Sequence, residues 1–270
     1  LGKAVMTRRD NFVLASKCVL GVHEGKRGVD GRPEAIAKTL ETSLRQLGTD
    51  HIDLYYLHRL DKDVPIEESV GALGDAVKAG KIRAIGVSEM SAQTIRRGHA
   101  EHPIAAVQSE YSPMVRNPEI AVFDACKELG IGFVAFSPVG RGLLADGVHE
   151  DTYKDGDIRN NLPRFNDPQL AHNLKAVNDF NALARDHGYT PAQLAIAWTM
   201  AYDDWIVPIP GTRKLAHFKD NMGALNAALP EGLRDDVSGL FEGAAIKGAR
   251  YSGWMQKMID TELFEDEEVS

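Results

Sequence analysis

The sequence predicts an α/β fold built on a parallel sheet, and two observations carry that prediction. Six short apolar runs recur along the chain, and longer amphipathic stretches separate them, giving a βα repeat of about 25–35 residues. Runs of about 4–8 residues rich in β-branched and aromatic types mark strands covered on both faces, as in a sheet flanked by helices. At 270 residues the chain is long enough for one large α/β barrel or two ordinary domains. On these grounds alone the sheet is either a closed barrel or an open doubly wound one.

The opening Leu1-Gly-Lys-Ala-Val-Met6 reads as the tail of a helix. The first strand falls at 12–16, in Phe-Val-Leu-Ala-Ser. A helix over 33–47 follows, with Ile36, Leu40, Leu44 and Leu47 on one face. Ile52-Asp-Leu-Tyr-Tyr-Leu57 is the second strand, and the helix over 65–79 has Pro65 near its start and Gly80 just past its end. Strands at 82–87, 105–108 and 131–136 alternate with helices over 91–100 and 118–129. Two helices, 168–187 and 191–201, precede the strand at 205–209, and a last one covers 214–227. The connection 140–166 is rich in Gly, Asp and Asn with little periodicity, the kind of insertion that serves as a functional loop. The acidic tail 262–268 is expected to be solvated and frayed. No linker or composition shift interrupts the chain, so residues 1–270 read as a single domain.

A net charge of −8 argues against nucleic acid as the main partner, because phosphate backbones need a basic surface. A local basic pocket for one small phosphate remains compatible with it. Cys18 and Cys126 are far apart and lack metal-ligand spacing, so neither a disulfide framework nor a zinc site is expected, and the setting is a reduced, cytoplasmic one. No apolar run approaches the roughly 18 residues of a membrane span, and no signal peptide opens the chain.

In a barrel, chemistry lives where strands end and βα loops begin. Those positions hold Lys17, His58, Ser88-Glu89, Gln108, Phe136-Ser137 and Gly211-Thr212-Arg213. Any one alone has a bland reading, a surface lysine or a structural histidine; together they point to one site. An open fold would bind a dinucleotide through Gly-x-Gly-x-x-Gly after a strand, and none is present. Gly140-Arg-Gly142 follows a strand but opens a loop rather than a helix. Neither a Walker loop, a His-Glu-x-x-His pair nor a Gly-x-Ser-x-Gly elbow occurs. Pro210-Gly-Thr-Arg213 leads into a helix whose free N–H groups, with the Arg213 guanidinium, make an anion site. The plain alternative there is Thr212 as N-cap beside a solvated arginine.

Several of these stretches occur in the order found in the aldo-keto reductase superfamily, which the chain resembles from about its first residue to Tyr251. They are Ile52-Asp-Leu-Tyr-Tyr-Leu-His-Arg59, Gly80-Lys-Ile-Arg-Ala-Ile-Gly-Val-Ser-Glu89, Gln108-Ser-Glu-Tyr-Ser112, Phe136-Ser-Pro-Val-Gly-Arg-Gly-Leu143, and Ile209-Pro-Gly-Thr-Arg213 with Asp220-Asn221. Leu162-Pro-Arg-Phe165 and Gly248-Ala-Arg-Tyr251 look like the plant-and-microbial, auxin-induced-type branch of NADP-dependent oxidoreductases. The resemblance implies a (β/α)8 TIM barrel that reduces an aldehyde or ketone with hydride from NADP(H), a small carbonyl compound as partner, and possible homo-oligomers.

By resemblance, Lys17 lowers the pKa of a catalytic tyrosine and His58 orients the carbonyl. A phenol titrates near pH 10, so a neighbouring ammonium is what makes it a usable acid near neutrality. Ser88 and Gln108 would hold the nicotinamide carboxamide, and Phe136, where the family usually has Tyr, would stack on the ring. Ser137, Val139 and Arg141 would line the pyrophosphate. Gly211, Thr212 and Arg213 would take the adenosine 2′-phosphate, with His217, Asp220 and Asn221 toward the adenine; many relatives carry Arg at His217. The family's Asp-Thr-Ala-x-x-Tyr-Gly-like segment, which carries the catalytic Asp and Tyr, is not in the sequence. With six strands where a closed barrel has eight, the chain reads as a fragment lacking its first two βα units, and loss of activity in the fragment is among the outcomes expected. The alternative is a non-catalytic NADP(H)-binding regulator on the same scaffold. Such an open sheet is expected to expose edges and apolar surface and to favour self-association.

Overall fold

A computed structural model of the chain describes residues 6–23, 25–149 and 153–269. The helix tail read into residues 1–6 therefore falls almost wholly outside the described residues; Met6–Asn11 is a 3-10 turn. The chain divides into two compact units, residues 1–108, 121–132 and 258–262 in the first, and 109–120, 133–257 and 263–270 in the second.

The first unit carries β1 (Ala15–Cys18), β4 (Ile52–Leu57), β5 (Ile82–Ser88) and the start of β6 (Ile104–Glu110), all parallel in that order. Helices α1 (Pro33–Leu47), α2 (Ile66–Lys78) and α3 (Ala92–Glu101) follow β1, β4 and β5, and α4 (Val122–Leu129) follows β6. Helix α1 buries Ile36, Leu40 and Leu44, a stripe at spacing four that the helical repeat puts on one face. It ends where Gly48 turns left-handed at φ 70° and its N–H bonds the Leu44 carbonyl. Ser91 starts α3 by accepting from the Thr94 N–H, while Asp260 accepts from the Ser91 backbone and hydroxyl. Between β1 and α1 a hairpin of β2 (Leu20–His23) and β3 (Lys26–Val29) projects, an element the apolar pattern did not predict. The start of β1 is pinned by Asp53, which accepts from the Leu14 N–H at 2.8 Å and pairs with Arg9 at 2.7 Å. This strand lies three residues later than its apolar run suggested, because Val13 faces water.

In the second unit the end of β6 is followed by β7 (Gly132–Phe136) and β8 (Ile206–Ile209), parallel, with Phe136 opposite Ile209. Its helices are α5 (Gln169–Asp186), α6 (Pro191–Met200), α7 (Leu215–Gly223), α8 (Leu233–Gly239) and α9 (Gly253–Lys257). Helix α6 is buried almost all round and opens with a reciprocal capping box between Thr190 and Gln193. Its Trp198 packs on Tyr111 at 5.2 Å between centroids and lies beneath the Arg234 guanidinium at 4.8 Å. The helix expected over 118–129 begins only at Val122, after a separate 3-10 turn at Asn117–Glu119. The connection 140–166 is not featureless: it holds 3-10 turns at Gly140–Ala145, Ile158–Asn161 and Pro163–Phe165 and buries Leu143, Leu144, Leu162 and Phe165. Helix α7 buries none of its residues, and Leu215, Phe218 and Met222 are exposed on it, as are Val207 and Ile209 on β8. Among the described residues no helix is long and apolar enough to cross a membrane.

Candidate functional site

In the first unit the polar residues expected at strand ends do converge. Lys17 stands opposite Tyr56 in the parallel register of β1 and β4, and His58 is the first residue past β4, its N–H bonding the Cys18 carbonyl. Parallel pairing turns opposed residues to the same face. The Lys17 ammonium accordingly lies 5.7 Å from the Tyr56 ring centroid. Beneath that ring Gly86 leaves the space: a Cβ there would sit 2.3 Å from two ring carbons. Ser88 ends β5 opposite Gln108 on β6, and both are buried.

Arg59 ties the group together, donating to the His58 carbonyl at 2.7 Å and to the Ser88 hydroxyl at 3.3 Å from one terminal nitrogen. The electrostatics follow. Burial first, and then the Arg59 charge, hold the Lys17 amine below the usual lysine range. Burial, Arg59 and Lys17 together push the His58 imidazole down to about 3, so the ring is neutral across the physiological range. Burial raises the Tyr56 phenol to about 12, opposed by its hydrogen bond from Gln108. Tyr55 and Tyr111 are each engaged within their own unit. Burial raises both phenols, Tyr55 lies against Ser43 and Cys18, and the Tyr111 hydroxyl donates to Glu119 at 2.6 Å.

The second unit holds the other predicted residues. Phe136 closes β7 half-buried, and the chain then turns through Ser137 and Arg141, both left-handed at φ 52° and 54°. Hydrogen bonds from Gly142 and Leu144 N–H to the Val139 carbonyl fix the turn. Arg141 reaches the Tyr251 hydroxyl at 2.8 Å and the buried Glu110 carboxylate at 3.3 Å. Because β7 and β8 are paired neighbours, the segment after Ile209 leaves beside this turn. Gly211, Thr212, Arg213 and His217 are all exposed, and no atom lies within 4 Å of where a Gly211 Cβ would stand. Thr212 accepts from the Lys214 N–H at 3.2 Å, and Lys214 rather than Thr212 occupies the N-cap position. Asp220 accepts from the Thr190 hydroxyl at 3.0 Å and from the Gln193 amide, tying α7 to α6; Asn221 lies half-buried beside it. Arg159, paired with Asp157 at 2.8 Å, and Arg213 both hold the Asp157 carboxyl down, to about 2, with the Arg159 hydrogen bond the larger cause.

The sequence reading missed Arg59, Tyr56, Glu110, Arg159 and Tyr251 as members of these clusters. Two carried a usable signal: Arg59 directly follows His58, and Glu110 shares the face of Gln108 by strand alternation. Among the described residues no cluster of His, Cys, Asp and Glu is placed to hold a metal ion.

Comparison with known proteins places the chain in a family. The sequence profile of the aldo/keto reductase family matches residues 1–237. Aldo-keto reductase yakc of Schizosaccharomyces pombe, whose name carries NADP(+), is 42% identical over 252 residues, covering 90% of this chain and 74% of that protein. Aldo-keto reductase str7 of Strobilurus tenacellus is 38% identical over 258 residues, covering 94% and 76%. Among solved structures, the glycerol dehydrogenase of Gluconobacter oxydans superposes with a TM-score of 0.79 at 25% identity, covering 98% of this chain and 78% of that one. A thermostable aldo-keto reductase bound to the inhibitor epalrestat gives 0.69 at 26% identity, covering 88% and 75%.

Proposed function

Since the chain belongs to the aldo/keto reductase family, we propose that it is an oxidoreductase reducing an aldehyde or ketone at the expense of NADP(H), with Lys17 and His58 at the reacting carbonyl. The observation that carries this reading is the Lys17–His58–Arg59 cluster at the ends of two paired strands, with an imidazole that burial keeps neutral. NADPH, when bound, supplies the hydride. A neutral imidazole donates an N–H to a carbonyl oxygen and orients it without protonating it. Lys17 contributes a cation that lowers the pKa of an acid beside it and stabilises negative charge developing on that oxygen. Within the first unit Ser88 and Gln108 are read as partners of the nicotinamide carboxamide. Within the second, Phe136 would stack on an aromatic ring, and Ser137, Val139 and Arg141 would meet the pyrophosphate. Gly211, Thr212 and Arg213 would take the 2′-phosphate, with His217, Asp220 and Asn221 on the adenine side. The donors there suit that load: Arg213 and Lys214 flank an exposed helix start, and Gly211 leaves its backbone approachable. A single reductase domain working in the cytoplasm completes the reading.

The test is NADPH oxidation with a panel of aldehydes. Lys17→Met and His58→Leu should each lower kcat on the order of 100-fold or more while the NADPH Kd moves little. Turnover that survives Lys17→Met intact would overturn the assignment. The alternative weighed from the sequence is NADP(H) binding without turnover. It would show as NADPH quenching the fluorescence of Trp198, Trp205 or Trp254 with no aldehyde reduced.

A further inference from the structure

Apart from Tyr251, the motifs Leu162-Pro-Arg-Phe165 and Gly248-Ala-Arg-Tyr251 take no part in the site described so far, yet they meet each other. The Arg164 Nε–H donates to the Gly248 carbonyl at 2.7 Å. Gly248 sits at φ 89°, and a Cβ there would stand 3.1 Å from the Arg164 nitrogen, so a side chain would be strained and crowded against the Arg164 backbone. Asn173 closes the junction, donating to the Arg164 carbonyl at 3.1 Å and accepting from the Lys247 N–H at 2.8 Å.

The junction gathers buried charge. Arg164 and Arg250 are buried, and both approach Glu267, at 3.8 and 3.5 Å. Asn117 also donates to Glu267. The buried Glu110 carboxylate feels Arg141, Arg250 and Arg164, strongly enough to stay below the usual glutamate range in spite of its burial. Glu268 joins them, accepting from the Gly248 N–H at 3.1 Å and acting on the Arg164 charge. Of the three guanidiniums, Arg141 is the most open to solvent, which leaves it the one an incoming anion can reach. Arg141 is held from two sides. One terminal nitrogen contacts both the Tyr251 hydroxyl (2.8 Å) and Glu110 (3.3 Å), those two lie 3.3 Å apart, and the guanidinium carbon is 5.2 Å from the Tyr251 ring centroid.

We propose that Tyr251 and Glu110 are positioning residues for Arg141, and that the two motifs exist to hold its guanidinium ready for a pyrophosphate. The inference rests on the reading of Arg141 as a pyrophosphate ligand. Without the Tyr251 hydroxyl the guanidinium keeps its charge and its ring contact but loses its direction. Bidentate recognition of phosphate oxygens depends on direction as well as charge.

The experiment compares two ligands by titration calorimetry on the full chain: NADP+, which has the pyrophosphate, and adenosine 2′-phosphate, which lacks it. Tyr251→Phe should weaken NADP+ on the order of 3- to 10-fold and leave adenosine 2′-phosphate unchanged. In an Arg141→Ala background the same change should have no further effect. Glu110→Gln should behave alike; if it does not fold, as circular dichroism would show, Tyr251→Phe decides alone. If Arg141→Ala weakens NADP+ and Tyr251→Phe does not, the positioning role is refuted while the pyrophosphate reading stands. If Arg141→Ala leaves NADP+ affinity intact, that reading fails and takes the inference with it. Equal weakening of both ligands by Tyr251→Phe would show a general structural role and also overturn the proposal.

Discussion

Replacing Gly86 by alanine tests how the Lys17 platform is built. Gly86 lies opposite Tyr56 in the β4–β5 register, and the added methyl would stand 2.3 Å from both Cδ1 and Cε1 of that ring. Ordinary van der Waals contact begins at 3.4 Å, so ring or strand must retreat by about 1 Å, more than a close-packed interior yields without strain. The ring has little room, since Tyr56 is fully buried, takes a hydrogen bond from Gln108 and has Lys17 across its face. Overpacking of this kind costs about 1–3 kcal/mol, and the confinement of the ring argues for the upper end. Urea unfolding followed by far-ultraviolet circular dichroism measures it; Trp198, Trp205 and Trp254 all lie in the second unit and would report on the wrong part of the chain. The control is the same substitution in a Tyr56→Leu background, where most of the penalty should vanish. An unchanged midpoint, or an equal penalty in both backgrounds, would refute the account of Gly86 as the floor of the platform.

Two further outcomes follow from burial. The folded pKa of His58, about 3, lies below its unfolded value near 6.5. Between those values the unfolded chain binds the extra proton, so stability is fully retained above about pH 6.5 and declines as pH falls toward 3. His58→Gln should flatten that part of the stability–pH curve, and an identical curve would show that the imidazole is not shielded as described. The thiols of Cys18 and Cys126 are both buried and pushed up to about 12. A disulfide reagent at pH 8 should label neither until the chain is unfolded; rapid stoichiometric labelling of the native protein would contradict their burial.

The strands were legible because burial on both faces leaves short apolar runs rich in β-branched and aromatic residues, whereas the equally buried α6 is longer and rich in alanine. Five of the six apolar runs fall on the observed strands within a residue or two; the sixth drifted because Val13 is apolar yet exposed. The β2–β3 hairpin escaped because Leu-Gly-Val-His and Lys-Arg-Gly-Val have neither a continuous apolar run nor a clean alternation. The start of α4 was placed too early for a related reason: Pro118 suits a helix start, but here it opens a 3-10 turn. Lys17, His58, Ser88 and Gln108 were accessible as polar residues at strand ends. The Arg141 support was not, because Glu110 and Tyr251 lie 31 and 110 residues from it and only tertiary packing brings them in. Asp220 is a different case. The resemblance alone put it toward the adenine; its contacts to the Thr190 hydroxyl and the Gln193 amide, 30 and 27 residues away, are tertiary and left no mark in the sequence.

Val19, Glu89 and Ser137 each follow directly on a strand and are each left-handed without being glycine. A β-branched residue such as Val19 resists that conformation, so the surrounding contacts must hold it there throughout the life of the folded chain. The peptide planes at these exits consequently have one orientation before any ligand arrives. A small molecule that met any one of these exits would find its polar partners already aimed, and most of the ordering entropy that a loose loop would lose on association would have been lost at folding instead.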